Sequence, residues 1–215
     1  MAHLSGDEGL LKAFSQGRDV HKTTAASVFN KTVDEVTADE RRMAKVINFG
    51  LIYGMSPFGL AQNLGIDRKE AEKYVQDYFA RYPGVKRYME EKRAECHENG
   101  FVETEFGRRL WIPDINASRK PVQAAAERAA INAPMQGTAA DLIKLAMIAV
   151  ENFLEEGGYE AKLILQVHDE LILEVPETEV KELKDAVPRL MAEVASLKVP
   201  LIAEVGVGAS WEEAH

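Results

Sequence analysis

The stretch from Val122 to Leu154 constrains the fold more than any other part of this sequence. It is rich in alanine and poor in helix breakers. Alanine has the highest helix propensity, and the preference is informative when summed over such a window. The pattern predicts one long helix, bent near Pro134 and Gly137, because proline lacks the amide donor and crowds the preceding turn. Helical patterns also fill the first half. One runs from Asp39 to Tyr53. A second runs from Asp67, an N-cap type of residue, to Tyr82 and meets a turn signal at Pro83-Gly84. A third runs from Gly84 to about Asn99. Phe101–Thr104 and Leu110–Ile112 flank Gly107 as a hairpin would.

The last third changes character. Leu163–Val167 and Leu171–Val175 are apolar runs on either side of His168-Asp169-Glu170, which predicts a second hairpin with a polar tip. Glu177 to Ser196 reads as an amphipathic helix, and Leu201 to Val207 as a closing strand. Strands that follow many helices predict an α+β fold rather than βαβ alternation. With 215 residues, 46% of them hydrophobic and 28% charged, the chain is long and apolar enough for a buried core. No apolar run reaches the roughly 18 residues of a membrane span, and no signal peptide is expected at the N-terminus. The single cysteine, Cys96, excludes an internal disulfide and fits a reducing, cytoplasmic setting. The net charge of −9 opposes a polyanionic partner only on average. Arg41, Arg42 and Lys45 cluster, as do Arg108 with Arg109 and Arg119 with Lys120, so a local basic groove remains open.

Three constellations carry candidate chemistry. Arg41, Lys45, Phe49 and Tyr53 follow one another at intervals of four, which places two cations and two rings along one helix face. Such a stripe suits a polyphosphate joined to a base or sugar; a solvated basic turn followed by core aromatics satisfies the same spacing. Arg128, Asn132 and Gln136 repeat the interval on the long helix. They could reach minor-groove acceptors, which report pair geometry more than sequence, or simply face solvent. The carboxylates of Asp169 and Glu170 at a hairpin tip are oxygen ligands of the kind Mg²⁺ takes; Asp is also an ordinary turn residue. His21, near a helix start, could donate to a phosphate or serve a cap. Trp111 and Trp211 are expected to serve packing, and the acidic run Glu177–Glu182 to be a solvated helix face.

Taken in order, these stretches resemble the C-terminal part of the family A DNA polymerases. Arg41 to Gly54 reads RRMAKVINFGLIYG and is similar to the family's nucleotide-binding fingers helix. Ala126 to Asp141 resembles its primer-template-contacting helix, and Val167-His168-Asp169-Glu170 its metal-binding palm hairpin. The similarity extends to Trp211 and His215. It implies a palm-derived helix over 1–18, a helical fingers subdomain over 19–118 and a partial antiparallel palm over 119–215. It also implies roles. Arg41 and Lys45, with His21, would bind the dNTP triphosphate; Phe49 would pack on the sugar and Tyr53 beside the nascent pair, with Gly54 turning the chain. Arg128, Asn132 and Gln136 would contact primer-template DNA. Asp169 would bind catalytic Mg²⁺, two ions in the complete site, with Glu170 in support and His168 near the primer end. Lys45, Asp169 and Glu170 are the catalytic candidates.

One departure shapes the expectation. The family's other essential aspartate lies in a motif of the type Asp-Tyr-Ser-Gln-Ile-Glu-Leu-Arg, which this sequence lacks. The chain is therefore expected to be about the last quarter of a DNA-directed DNA polymerase, a bacterial cytoplasmic and nucleoid-associated enzyme of replication and repair. Alone it is expected to be nearly inactive, since one aspartate cannot fix two metal ions. Asp7 and Glu8 offer no evident replacement. An open palm sheet would favour self-association. Two alternatives are a non-catalytic nucleotide- and DNA-binding module, and a helix-rich interaction scaffold without a nucleotide site.

Overall fold

The structure is a computed structural model that describes residues 1–214; His215, where the resemblance ends, lies outside the described residues. The fold is α+β. Its helices are α1 (Ala2–Ser5), α2 (Glu8–Ser15), α3 (Val20–Val28), α4 (Ala38–Ile52), α5 (Pro57–Leu64), α6 (Arg68–Arg81) and α7 (Pro83–Asn99), then α8 (Lys120–Gly157), α9 (Val180–Glu193) and α10 (Trp211–Ala214). Strands β1 (Phe101–Glu103) and β2 (Arg109–Trp111) form one antiparallel hairpin, and β3 (Lys162–Val167) and β4 (Glu170–Glu174) another. The chain divides into two compact units, Met1–Met135 and Gln136–His215, the division falling within α8.

Local chemistry explains the helix starts in the first unit. At Thr37 the hydroxyl accepts from the Glu40 amide at 3.2 Å while the Glu40 carboxylate accepts from the Thr37 amide at 2.9 Å, a reciprocal cap that starts α4. Ser56 caps α5 with Pro57 in the first turn, and Gly65 in a left-handed conformation ends it. Asp67 caps α6 through the Lys69 amide at 2.6 Å.

Asp7 caps two helices. Its Oδ1 accepts from the Leu10 amide at 3.0 Å in α2, and its Oδ2 accepts from the Gly84 amide at 2.8 Å in α7. The turn expected at Pro83-Gly84 is therefore the first turn of α7. Proline suits that position, since an amide there would lack a helical partner anyway. Core residues on α4, α5 and α7 include Ile47, Leu51, Leu60 and Val85, all essentially inaccessible. A second cluster joins Cys96, Val102, Ile115, Ala126 and Ala130 beneath the β1–β2 hairpin.

α8 runs unbroken through Pro134 and Gly137. In the second unit, Val150, Leu154, Ala161, Leu183 and Val187 form the core, with Leu171, Leu173 and Val175 packed against it. Three expectations fail here. Helix α9 is shorter than the span 177–196: Glu179 stands at its N-cap position without a side-chain cap, and its carboxylate instead accepts from the Glu160 and Ala161 amides at 2.9 and 3.0 Å. Glu182 likewise accepts from the Tyr159 hydroxyl at 2.5 Å, so the acidic run is not merely a solvated face. The strand expected over Leu201–Val207 joins no ladder among the described residues, and Ile202 is 81% exposed. Alternating apolar residues make a strand only when a neighbouring backbone accepts the hydrogen bonds. The tryptophans also depart from a simple packing role. Trp111 rests against Phe101, ring centroids 4.9 Å apart, yet is 65% exposed, and Trp211 is half exposed.

Candidate functional site

Helix α4 presents the first constellation as a ridge. Lys45 and Phe49 are exposed on it, and Tyr53 closes its C-terminal end. The Lys45 Nζ stands 5.7 Å from the Phe49 ring centroid, and the Phe49 and Tyr53 rings stack at 6.4 Å with 13° between their planes. Phe49 and Tyr53 are 40% and 42% exposed, so they are not core aromatics. The buried stripe of α4 is instead Ala44, Ile47, Asn48 and Leu51.

The ridge has two flanks. On one, α3 packs against α4. Asp19 caps α3 through the Lys22 amide at 3.0 Å and accepts from Arg41 Nε at 2.6 Å. Burial would raise the Asp19 carboxyl, but the Lys22 amide and the Arg41 guanidinium outweigh it and hold it below its ordinary range. His21, next to this pair, sets its ring 5.4 Å from that of Phe49. Its pKa is lowered, first by burial; Asp19 pulls it up, while Arg41 and Lys45 push it further down. Asn48, 2% exposed, sits below: its Nδ2 donates to His21 Nδ1 at 2.9 Å and its Oδ1 accepts from the Thr24 hydroxyl at 3.1 Å. On the other flank lies a concavity of about 620 Å³ lined by Arg42, Lys45, Phe49, Tyr53, Met55 and Arg128 among others.

The two glycines near this concavity have a steric reason. A methyl on Gly54, whose φ is +76°, would stand 3.1 Å from Arg128 Cγ, and one on Gly50 would stand 3.0 Å from Met55 Sδ. Residue 54 thus takes a left-handed conformation that favours glycine, and a side chain there would crowd Arg128. The structure brings Arg41, Lys45, Phe49, Tyr53, His21 and Arg128 into one neighbourhood. Asn132, the next residue of the second constellation, is half-buried, and its Oδ1 is buried without a partner. Gln136 is exposed at the start of the second unit.

The third constellation lies in that second unit. His168 and Asp169 form the two-residue turn between β3 and β4, and Glu170 is the first residue of β4, paired with Val167. His168 has a left-handed φ of 53°, unusual outside glycine, and its carbonyl accepts from Gln166 Nε2 at 2.6 Å. The brace holds the turn so that Asp169 is exposed. An exposed carboxylate on a hydrogen-bonded hairpin suits a hard cation. No group of three His, Cys, Asp or Glu side chains among the described residues could enclose a metal ion. Asp7, one of two acidic residues near the N-terminus, is buried with both oxygens engaged.

The sequence patterns missed Asp19, Thr24, Asn48 and Met55. Asn48 carried a signal: it is the polar member of an otherwise apolar helix stripe. The others depend on which helices pack together.

Comparisons with known proteins follow the same lines. The profile of DNA polymerase family A matches residues 1–213. The DNA polymerase I of Pseudomonas aeruginosa is 58% identical over all 215 residues, that of Streptococcus pneumoniae 52%, and that of Geobacillus stearothermophilus 46% over 214 residues. The chain spans 24% of the length of each of these relatives. Among solved structures, the POL domain of Pol1 from M. smegmatis, in complex with DNA primer-template and dNTP, superposes with a TM-score of 0.94 at 44% identity, covering 99% of this chain and 38% of that one.

Proposed function

The chain belongs to DNA polymerase family A, and on that premise we propose that its 215 residues supply the nucleotide-binding helix and one metal-binding carboxylate of a DNA-directed DNA polymerase. The parent reaction joins a dNTP to a primer 3′-hydroxyl and releases pyrophosphate. The observation that carries this reading is the ridge of Lys45, Phe49 and Tyr53, an ammonium beside two exposed stacked rings, flanked by Arg41 and His21. Lys45 and Arg41 meet the triphosphate charge, and His21 donates a further hydrogen bond. Phe49 packs on the sugar, and Tyr53 lies beside the new pair. Arg128, Asn132 and Gln136 contact primer-template DNA.

Asp169 holds Mg²⁺, supported by Glu170, with His168 close to the primer end. When bound, the metal pair supplies a more acidic primer hydroxyl and charge neutralisation at the leaving pyrophosphate. The carboxylates present fit only part of such a pair, since the sequence lacks the motif that carries the family's other essential aspartate. These residues alone are therefore a nucleotide- and DNA-binding module with little or no polymerase activity. We place the parent in the bacterial cytoplasm, associated with the nucleoid. No helix among the described residues is long and apolar enough to cross a membrane. Exposed Ile164, Leu165 and Ile202 support self-association of the isolated chain, to be read by light scattering.

Two measurements test the reading. Arg41→Ala and Lys45→Ala are expected to weaken dNTP binding by about tenfold or more each; unchanged affinity refutes the nucleotide site. Primer extension by this chain, abolished in Asp169→Ala, would show that a second carboxylate completes the metal site and would overturn the inactivity.

A further inference from the structure

Asn48 and Thr24 have no place in the ridge itself, yet they form the only side-chain link between His21 and the interior of the first unit among the described residues. We propose that the Thr24–Asn48 pair is a positioning device that fixes His21 as an Nε2–H donor in its neutral form. The inference rests on the nucleotide reading above and assigns these two residues to the same site.

The geometry runs outward from the core. The Thr24 hydroxyl donates to Asn48 Oδ1 at 3.1 Å, and Nδ2 of the same amide faces His21 Nδ1 at 2.9 Å. Asn48 is 2% exposed and Thr24 3%, so neither group has water as a ready substitute. A nitrogen that accepts a hydrogen bond carries no proton. The single proton of neutral His21 therefore resides on Nε2, which has no protein partner among the described residues. A proton added at Nδ1 would point at an amide NH₂, so the device also disfavours the imidazolium. The surrounding charges are those of Asp19, which favours the cation, and of Arg41 and Lys45, which oppose it. Phe49, whose ring lies 5.4 Å away, walls the remaining side.

The consequence is a donor that does not titrate where it is used. An unconstrained histidine at pH above its pKa divides between two tautomers, and the Nδ1–H form would aim a lone pair at a phosphate oxygen. A fixed Nε2–H donates over the whole neutral and alkaline range. It adds a hydrogen bond without adding a third full charge beside Arg41 and Lys45.

The test uses the 215-residue chain labelled with ¹⁵N in its histidine rings, with dTTP and Mg²⁺ as the probe. In the wild type, His21 Nδ1 is expected at the shift of an unprotonated ring nitrogen and Nε2 at that of a protonated one. Asn48→Asp replaces the donor by an acceptor. It is expected to invert the tautomer, raise the His21 pKa, and weaken dTTP binding about tenfold at pH 8 but not at pH 5.5. Thr24→Val is expected to mix the tautomers, and Thr24→Ser to restore one; that contrast separates positioning from loss of fold. An Nδ1–H tautomer in the wild type, or an Asn48→Asp ring spectrum identical to wild type, overturns the proposal while leaving the nucleotide site intact. Undiminished dTTP binding by Arg41→Ala removes the site, and the proposal with it.

Discussion

Replacing Gly84 by alanine should destabilise the first unit, although it places a better helix former within a helix. Propensity alone predicts a gain of about 0.5–1 kcal/mol. The structure opposes it. A methyl on Gly84 would stand 2.8 Å from Asp7 Cα and 2.9 Å from both Asp7 Cβ and Oδ2. The nearest of these atoms is backbone, so no side-chain rotation relieves the contact. Overpacking of this kind costs about 1–3 kcal/mol. Moving the two segments apart also stretches the 2.8 Å bond from the Gly84 amide to a buried carboxylate, a class of bond worth about 1.5–3 kcal/mol. The net is a loss of about 2–4 kcal/mol, or about 5–15 °C in the unfolding midpoint of the unit. Scanning calorimetry reads the midpoint, and amide exchange at residues 10 and 84 reports whether the cap itself opened. Gly9→Ala is the internal control, since its methyl meets nothing nearer than 3.2 Å, the Asp7 Oδ1 atom. Its effect should stay within about 1 kcal/mol of wild type. A Gly84→Ala protein as stable as wild type would refute the argument that Asp7 holds α2 and α7 in one rigid corner.

Three further outcomes are expected. His97 lies between two acceptors, Asn116 Oδ1 at 2.8 Å and Glu127 Oε1 at 3.1 Å, and these bonds raise its pKa above 6.5 against the opposing charge of Lys120. Its stabilisation is therefore full below pH 6.5 and disappears as pH rises through the raised value; stability against pH should flatten in His97→Gln by a few tenths of a kcal/mol. Asp19 titrates the other way. Its contribution is present above pH 3.8 and lost as pH falls through its lowered pKa, so Asp19→Asn, which keeps the cap but not the charge, should show a shallower acid-unfolding profile. Glu179→Ala should speed amide exchange at Glu160 and Ala161 and cost about 1–2 kcal/mol in the second unit, because one carboxylate serves both amides.

The sequence was most legible where the signal was local. The helix over 39–53, the helix over 67–82 and both hairpins depend on caps, spacing and turn residues that lie within a few positions of one another. The fold was least legible where a partner decides. Leu201–Val207 has the alternation of a strand, but alternation cannot supply the neighbour that a ladder requires. Pro83-Gly84 has the composition of a turn, but Asp7, far away in sequence, turns it into a capped helix start. The ridge of Lys45, Phe49 and Tyr53 was visible as a spacing of four, whereas Arg41's engagement with Asp19 and the chain from Thr24 through Asn48 to His21 exist only once α3 lies against α4.

The irregularity in β3 bears on how this hairpin tolerates change in length. Leu163 pairs with Leu173 but Leu165 pairs with Ile172, so Ile164 is one residue more than β4 can match. Side chains alternate faces along a strand, and an extra residue resets that alternation. Loss of Ile164 would therefore not simply remove an exposed isoleucine. It would force a choice between turning Lys162 and Leu163 over and shifting the turn by one position, which would hand the exposed place of Asp169 to a neighbour. A single-residue deletion four positions before His168 should disable the tip more thoroughly than most substitutions within it.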